Sequence, residues 1–361
     1  MSDILDDPGA LSSLIEILRF RAAHQPDRLA YRFLADGLAE EGSVTYAELE
    51  RRARALGALL ADLGAGGKRV LLLYPASLDY VVAFFGCLYG GAVAVPAYPP
   101  RPNRPMPRIR TIVADAGATV ALTTSSIFAT LERRIEELPD LQALAWRTTD
   151  ELPLDLGAAW QDPAAGRGTL AFLQYTSGST AAPKGVMVTH GNLLHNQELI
   201  RQACGHGPET PCVSWLPLYH DLGLIGNMIQ SLYVGAPCTL MSPVAFLQSP
   251  VRWLRAVSRY GGHTSGGPNF AYDLCVQKVP PLEREGLDLS SWRVAFNGAE
   301  PVRQDTLLRF ARAYEPYGFR REALFPCYGL AETTLIVSGG GMGEPHVARS
   351  FSAEDLARNR A

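Results

Sequence analysis

The stretch LAFLQYTSGSTAAPKGVMVTH, residues 170–190, joins a strand-like run to a loop of small hydroxyl residues and glycine. The run 170–175 has the length and composition of a buried strand. The loop that follows can turn several backbone N–H groups and hydroxyls toward one point, and a lysine close behind adds a positive charge. We therefore predict a cradle for a polyphosphate, although an ordinary Ser/Gly turn is the alternative. The residues of this cradle are Thr176, Ser177, Gly178, Ser179, Thr180 and Lys184.

The same stretch differs from the phosphate loop of P-loop ATPases. That loop needs a glycine directly before the lysine and a helix directly after it. Here Pro183 precedes Lys184, and Gly185 leads into a β-branched stretch. A P-loop ATPase is therefore disfavoured.

Composition is that of an ordinary globular protein with a large core. The chain has 361 residues, 47% of them hydrophobic, and a formal net charge of −3. Such a balance gives no general attraction for nucleic acid, so we expect no nucleic-acid partner. The acidic N-terminus lacks the features of a signal peptide, and the longest uncharged run, residues 80–95, is too short for a membrane span. We expect a cytoplasmic location and no membrane span.

The order of apolar runs predicts an α/β fold. A capping box at residues 45–48 opens a helix, and a strand at 70–74, a buried helix and a strand at 92–95 follow as a βαβ unit. Helical patterns separate most of the later runs of strand length. These runs lie at residues 119–123, 170–175, 213–216, 238–241, 294–297 and 324–327.

This pattern favours two helix-covered lobes with mainly parallel sheets. We expect the elements of the first lobe in about residues 1–168 and those of the second in about 169–337. The proline-rich stretch 96–107 is predicted as an extended surface loop, and residues 149–168 as the connection between the lobes.

Three later motifs also carry polar residues. They read WLPLYHDLGL at 215–224, FNGAEP at 296–301 and YGLAET at 328–333. Taken alone, Asp221 could cap a helix, the second motif could be a turn before a proline-led helix, and Glu332 could be a first-turn acid.

Together with the stretch at 170–190, these motifs resemble those of the adenylate-forming superfamily, in the same order. That superfamily includes acyl-CoA synthetases, adenylation domains of peptide synthetases, luciferases and fatty acyl-AMP ligases. The resemblance extends more weakly to the residues before 170.

The resemblance implies a site for ATP and Mg²⁺. Tyr328 would stack on adenine, Glu332 would coordinate Mg²⁺ between the phosphates, and Thr333 would bond the α-phosphate. One carboxylate suits this role because Mg²⁺ on ATP takes only one or two protein oxygens. The other nucleotide-binding residues implied are Gly298, Ala299, Glu300 and Gly329, and the catalytic residues implied are Lys184, His220 and Glu332.

The resemblance also implies an acyl site. It places His220 beside the fatty carboxylate and the nucleotide. Ile225, Met228 and Phe270 are expected to line an acyl tunnel, although the same residues suit an apolar core equally well.

Several strings favour the fatty acyl-AMP ligases over the acyl-CoA synthetases, among them LQYTSGST, YHDLGLIG and GLAETTLIVSGG. The segment 344–361 resembles an insertion of the ligases that disfavours coenzyme A as acceptor, so we expect residues 338–361 to begin that insertion. Ser352 would cap a short helix there, with Val347 and Phe351 as anchors. The resemblance thus implies the large domain of an adenylate-forming enzyme without its small C-terminal domain, a fragment impaired in catalysis.

The activity implied is the conversion of a fatty acid and ATP to an acyl-adenylate. The carboxylate attacks the α-phosphorus and pyrophosphate leaves, so no protein nucleophile is needed. The acyl group would pass to the phosphopantetheine thiol of an acyl carrier protein in polyketide, lipopeptide or lipid biosynthesis. Two alternatives remain: a long-chain acyl-CoA synthetase, and a catalytically silent fragment that binds nucleotide or fatty acid.

Overall fold

A computed structural model describes residues 11–99, 106–176 and 183–360. Its strands form an eight-stranded sheet, in the order β14-β13-β12-β11-β9-β10-β1-β2, and a six-stranded sheet, in the order β6-β5-β3-β4-β7-β8. In chain order the strands are β1 Leu29–Leu34, β2 Glu40–Thr45, β3 Arg69–Leu73, β4 Val93–Ala97, β5 Val120–Thr123, β6 Ala145–Thr148, β7 Leu170–Thr176, β8 Lys184–Thr189, β9 Cys212–Ser214, β10 Cys238–Met241, β11 Thr264–Gly266, β12 Val294–Asn297, β13 Leu324–Gly329 and β14 Ile336–Gly339.

Helices cover both sheets. One of them, α8, contains a π-helical segment, Leu224–Ile229, between the α-helical pieces Asp221–Gly223 and Gln230–Val234. The others are α1 Leu14–His24, α2 Tyr46–Asp62, α3 Leu78–Tyr89, α4 Pro107–Ala116, α5 Ser125–Glu136, α6 Pro139–Gln142, α7 His190–Cys204, α9 Pro243–Gln248, α10 Val251–Arg259, α11 Asn269–Lys278, α12 Pro281–Arg284, α13 Gln304–Tyr314 and α14 Ala353–Ala357, with short 3₁₀ turns at Leu154–Ala159, Glu315–Tyr317, Arg321–Ala323 and Ala331–Thr333.

The predicted α/β architecture is confirmed. Strand β3, helix α3 and strand β4 form the expected βαβ unit, with β3 and β4 parallel and Leu71 opposite Val95. Each of the six later apolar runs contains a strand. Only the pairs β1–β2, β7–β8 and β13–β14 are antiparallel among the pairings described, so the sheets are mainly parallel as predicted.

The helix expected after residue 45 is also present. The Glu48 N–H donates to the Thr45 side-chain oxygen over 3.3 Å, which satisfies one of the free N–H groups at the start of α2.

Each sheet contains strands from both sides of the boundary that we expected near residue 168. Strands β1 and β2 belong to the eight-stranded sheet, whereas β7 and β8 complete the six-stranded sheet. Consequently, residues 149–168 connect two strands of one sheet, β6 and β7, and do not connect the lobes. The expectation failed because strand order depends on pairings such as Tyr31 with Cys238, which local periodicity does not report.

The proline-rich stretch is shorter as a loop than predicted. Pro96 and Ala97 end strand β4, and Pro107 is the first residue of α4, where its missing N–H costs no helical hydrogen bond. Residues 100–105 lie outside the described part of the chain.

Two apolar cores enclose the six-stranded sheet. Val70 and Leu72 point into the larger core, which continues under the eight-stranded sheet. Leu71 and Leu73 point into a second core under α4 and α5. This alternation is expected for a strand buried on both faces. In the described ranges, no helix has both the length and the apolar character needed to cross a bilayer.

The last described segment follows the expected local pattern but lacks the expected anchors. The Asp355 N–H donates to Ser352 Oγ over 3.2 Å, so Ser352 caps α14 as predicted. Val347 is 82% exposed and Phe351 is 55% exposed, so neither side chain is anchored in the described structure. The segment is attached further upstream, where the Met342 N–H donates to Ala203 O over 3.0 Å.

We predict that Gly57→Ala lowers the free energy of unfolding by about 1 to 3 kcal/mol. An added Cβ would lie 2.8 Å from Tyr89 Cβ and 2.9 Å from its carbonyl carbon, so α2 and α3 would have to separate. The clash should outweigh the ~1 kcal/mol by which alanine favours a helix over glycine. Gly168→Ala is the matched control, because no heavy atom lies within 4 Å of its added Cβ. Urea denaturation would contradict the close packing of α2 and α3 if Gly57→Ala proved as stable as the control.

Candidate functional site

A cavity of about 350 Å³ opens at the carboxyl ends of β12 and β13, under α7 and α8. Ligands of parallel α/β folds commonly bind at this edge of a sheet. The lining residues are Thr176, Ile200, Cys204, His206, His220, Asp221, Leu222, Gly226, Thr264, Phe296, Gly298, Ala299, Phe325, Cys327, Tyr328, Gly329, Leu330, Ala331, Glu332, Leu335 and Ile336.

The turn after β12 is closely fitted to β13. A Cβ on Gly298 would lie 3.0 Å from Cys327 O, so a larger residue would press on the neighbouring strand. Ala299 has a φ of 67°, in the left-handed region that a residue with a Cβ adopts at a cost of about 1 to 2 kcal/mol. Both residues line the cavity. Glu300 does not line it, and its Oε1 accepts a hydrogen bond from the Phe270 N–H over 3.3 Å.

The turn after β13 forms the mouth of the cavity. Tyr328 is 60% exposed and its neighbour Gly329 has no room for a side chain, because an added Cβ would lie 2.1 Å from Leu335 O. Tyr328, Gly329 and Glu332 all line the cavity. Thr333 does not, and its hydroxyl donates to Leu330 O over 3.0 Å.

Glu332 does not begin an α-helix. It lies in the single turn Ala331–Thr333, which Thr334 ends with a φ of 76° and strand β14 follows. A turn of this length has no extended helix dipole for a carboxylate to stabilise. The interpretation of Glu332 as a first-turn acid therefore loses its basis, and its exposed carboxylate is available to a ligand at the mouth.

His220 caps the start of α8 at the same mouth. Two hydrogen bonds from the other lobe fix the residues before it: the Tyr80 hydroxyl donates to Leu218 O over 2.7 Å, and Gln174 Nε2 donates to Tyr219 O over 3.0 Å. The sequence analysis missed both donors. Tyr80 lies in an apolar run and Gln174 within a strand, so neither carried a local signal.

His220 is paired with the residue that follows it. Its Nδ1 lies 2.6 Å from Asp221 Oδ1, and this hydrogen bond raises the pKa of His220 above its usual value. Asp221 Oδ1 also accepts from the Leu222 N–H over 2.7 Å. Asp221 thus lies in the first turn and not at the cap position considered for it, where the structure has His220.

The predicted phosphate loop is described only at its two ends. Thr176 ends β7 and lines the cavity, and Lys184 begins β8 directly opposite Thr176. Lys184 is exposed and does not line the cavity. The predicted positions Ser177, Gly178, Ser179 and Thr180 lie outside the described residues.

The expected acyl-lining residues lie elsewhere. Ile225 and Met228 are fully buried in the core, where their carbonyls accept hydrogen bonds from Gln197 and Tyr31. Phe270 packs edge-on against Trp215, outside the cavity wall. The face of α8 that does line the cavity carries Leu222 and Gly226, one helical turn apart. Sequence placed this helix at the cavity but could not determine which of its apolar faces meets the sheet.

The deep end of the cavity is polar, which the sequence analysis did not foresee. His206 and Thr264 both line it, with 7% and 3% exposure. His206 Nε2 lies 2.7 Å from Thr264 Oγ1, and His263 Nδ1 lies 3.0 Å from the same oxygen. Desolvation, with a smaller contribution from His263, lowers the pKa of His206 to about 3, and desolvation lowers that of His263 to about 4, so both are neutral near pH 7.

No group of three or more His, Cys, Asp or Glu side chains that could hold a metal ion occurs among the residues described. The six cysteines have free thiols, five of them buried.

The fold is that of the large domain of adenylate-forming enzymes. A structure of a fatty acyl-adenylate ligase from L. pneumophila, in complex with acyl adenylate and pyrophosphate, matches with a TM-score of 0.87 and 42% identity, over 92% of this chain and 58% of that one. The model of the AMP-binding enzyme family matches residues 18–353. The chain belongs to that family.

Its relatives include ligases of fatty acids. The medium-chain-fatty-acid–[acyl-carrier-protein] ligase JamA of Moorena producens is 46% identical over 97% of this chain and 60% of its own length. The long-chain-fatty-acid–AMP ligase FadD32 of Mycobacterium marinum is 36% identical over 92% of this chain and 54% of its own length. The chain therefore spans about 60% or less of the length of these relatives.

We predict that Asp221→Asn lowers the pKa of His220, because it removes the charged partner that stabilises the imidazolium. Since the pair raises the folded-state pKa, its contribution to stability is complete below the ordinary histidine pKa of about 6.5 and disappears as pH rises through the raised value. NMR titration of the His220 ring would measure the change. His206 and His263 serve as internal references, because neither should titrate between about pH 5 and 9. If the titration midpoint of His220 is the same in both proteins, the hydrogen bond to Asp221 is not the cause of its raised pKa.

Proposed function

We propose that this chain is the part of a fatty acid-adenylating enzyme that binds ATP and the fatty acid. The observation that carries the proposal is the division of one cavity into two ends. The mouth offers an exposed aromatic ring, a carboxylate and an imidazole, namely Tyr328, Glu332 and His220. The interior is lined by apolar side chains, which suit a hydrocarbon chain.

The nucleotide would bind at the mouth. The exposed ring of Tyr328 is free to stack on adenine, and the backbone of Gly298 and Ala299 presents little side-chain bulk on the opposite side. Thr176, Lys184 and the loop between them would receive the phosphates, because Thr176 lines the cavity and Lys184 pairs with it across β7 and β8. Thr333 would reach the α-phosphate by turning its hydroxyl away from Leu330 O.

The donor set fits a Mg²⁺ ion shared with ATP. Glu332 is a single exposed carboxylate, and Mg²⁺ on ATP needs only one or two protein oxygens. We propose Glu332 as the residue that would hold it. Bound Mg²⁺ would reduce the repulsion between the phosphates and the incoming carboxylate.

The acyl chain would extend inward between α7 and the eight-stranded sheet. Ile200, Phe296 and Leu335 provide apolar contacts, and Gly226 leaves room on the side of α8. His220 at the mouth would lie beside the fatty carboxylate. Its raised pKa allows a charged imidazolium that attracts this carboxylate and holds it in line with the α-phosphorus.

An acyl carrier protein is the proposed acceptor of the acyl group. The relative from Moorena producens, which is 46% identical to this chain, is named as a ligase with such an acceptor. We propose that the reaction takes place in the cytoplasm, because ATP and carrier-bound phosphopantetheine are found there. An acyl-CoA synthetase is the main alternative within enzymes.

The product formed with coenzyme A present distinguishes these two activities. In a protein that joins this chain to the further residues found in its relatives, dodecanoate, ATP, Mg²⁺ and coenzyme A should yield dodecanoyl-AMP and pyrophosphate but little dodecanoyl-CoA. Mass spectrometry of the products measures both acyl species. Abundant dodecanoyl-CoA would assign the protein to the synthetases, and the absence of any acyl-AMP would refute adenylation.

Glu332→Gln in that protein should reduce kcat/KM for acyl-AMP formation at least tenfold, equivalent to about 1.4 kcal/mol. The loss should be largest at limiting Mg²⁺, because the amide is a weaker ligand than the carboxylate. Glu322→Gln is the matched control, since Glu322 is also exposed and lies in a similar 3₁₀ turn, Arg321–Ala323, outside the cavity. Pyrophosphate release that is unchanged by Glu332→Gln would remove this carboxylate from the metal site.

A further inference from the structure

The deep end of the cavity contains a chain of hydrogen bonds with no role in the activation of a carboxylate. Gln230 Nε2 lies 3.3 Å from His206 Nδ1, His206 Nε2 lies 2.7 Å from Thr264 Oγ1, and Thr264 Oγ1 lies 3.0 Å from His263 Nδ1. Gln230 and Thr264 are 2% and 3% exposed. Of these four polar side chains, His206 and Thr264 line the cavity and give it a polar deep end behind apolar walls.

These polar side chains lie where the far end of an acyl chain would lie if its carboxylate were bound at the mouth. Thr264 begins β11 and lies opposite Val294, the first residue of β12. Gly298, at the nucleotide end, follows Val294 by four residues, which corresponds to about 13 Å along a strand. Between them the walls are formed by side chains such as Ile200, Phe296 and Phe325.

The two hydrogen bonds to the histidines leave Thr264 Oγ1 with one unused hydrogen-bonding position. If Gln230 donates to His206, then His206 Nε2–H donates to Thr264, whose hydroxyl proton goes to His263. If the amide and both tautomers are reversed, His263 donates to Thr264 and the hydroxyl proton goes to His206. In these two arrangements the hydroxyl uses its proton and one lone pair, so an acceptor lone pair remains. If both imidazoles donate, both lone pairs are used and the hydroxyl proton remains. In each arrangement Thr264 Oγ1 keeps one hydrogen-bonding position that a hydroxyl group, which both donates and accepts, can satisfy.

The charges at the deep end also favour a neutral group over an anion. His206 and His263 are neutral because burial lowers their pKa values to about 3 and about 4, with a smaller contribution from the positive charge of Arg293 in the case of His263. Of the lining residues described, none is Lys or Arg. The deep end therefore offers a hydrogen-bonding partner to a neutral hydroxyl group and no lining cation to an anion.

We propose that Thr264, held by His206 and His263, is a specificity-determining residue that forms a hydrogen bond with the end of the acyl chain, so that the cavity favours a chain of one length ending in a hydroxyl group. This inference rests on the proposed function, because it identifies the hydrocarbon part of the cavity with the acyl site. A chain ending in a methyl group leaves the free hydrogen-bonding position of Thr264 unpaired and desolvated. A chain ending in a second carboxylate brings a charge that no described lining residue neutralises.

The test uses acyl sulfamoyl adenosines, which are stable analogues of acyl-adenylates, and isothermal titration of the 361-residue chain. Each probe with a methyl terminus is paired with one of the same number of chain atoms that ends in a hydroxyl, over a series from hexanoyl to tetradecanoyl. The quantity compared is the ratio of the two dissociation constants within each pair. Because the adenosine end is constant, this ratio reports only on the far end of the chain.

At one chain length the ratio should shift in favour of the hydroxyl by about three- to tenfold relative to shorter chains, the range expected for one net hydrogen bond. Thr264→Val, which keeps the shape and removes the hydroxyl, should abolish this shift. Thr264→Ser should retain it. A probe ending in a carboxylate should bind more weakly than its methyl counterpart at that same length.

A ratio that does not depend on chain length in the unmodified protein overturns the inference, whether or not the variants fold. So does a shift that persists in Thr264→Val. In both cases binding of the methyl-ended probes would leave the proposed function intact. If none of the probes binds, the proposed function itself fails, and the inference fails with it.

Discussion

Two hydrogen bonds to consecutive carbonyls, those of Leu218 and Tyr219, connect the two halves of the site. The donors are Tyr80 of α3 and Gln174 of β7, both in the lobe of the six-stranded sheet, whereas the acceptors directly precede α8 on the other sheet. Gln174 is two residues from Thr176, where the predicted phosphate loop begins. A displacement of one lobe against the other would therefore move His220 relative to the nucleotide loop, and both contacts are buried enough to make that displacement costly.

Burial distinguishes the histidines of the cavity in a way that suits its two ends. At the mouth, His220 pairs with Asp221 and its pKa is raised, so an imidazolium is available where a carboxylate and phosphates would bind. At the deep end, desolvation keeps His206 neutral, so the cavity gains polarity there without charge. A histidine thus acts through its charge at the mouth and through neutral hydrogen bonds at the deep end, because its surroundings set its pKa.

The turns at the mouth combine close approach with unfavourable backbone angles. Ala299 and Thr334 both have positive φ values, and Gly329 has backbone contacts that exclude any side chain. Such conformations persist only where the surrounding structure fixes them. Here the paired strands β12, β13 and β14 fix both turns, which holds the backbone of Gly298 and Ala299 against the cavity in a geometry that a free loop would not keep.

The sequence by itself determined the class of fold, most of the parallel strands and the location of the motifs, because apolar periodicity and the strings at 170–190, 215–224 and 328–333 are local signals. Seven of the residues that it singled out for nucleotide or substrate binding line one cavity: Thr176, His220, Gly298, Ala299, Tyr328, Gly329 and Glu332. Only the tertiary structure decided that β1 and β2 belong to the second sheet, that Leu222 and not Ile225 faces the cavity, and that His206 and Thr264 close it. These features depend on pairings and helix rotations between residues far apart in the chain, which are set by the packing of whole elements and leave no trace in the local pattern.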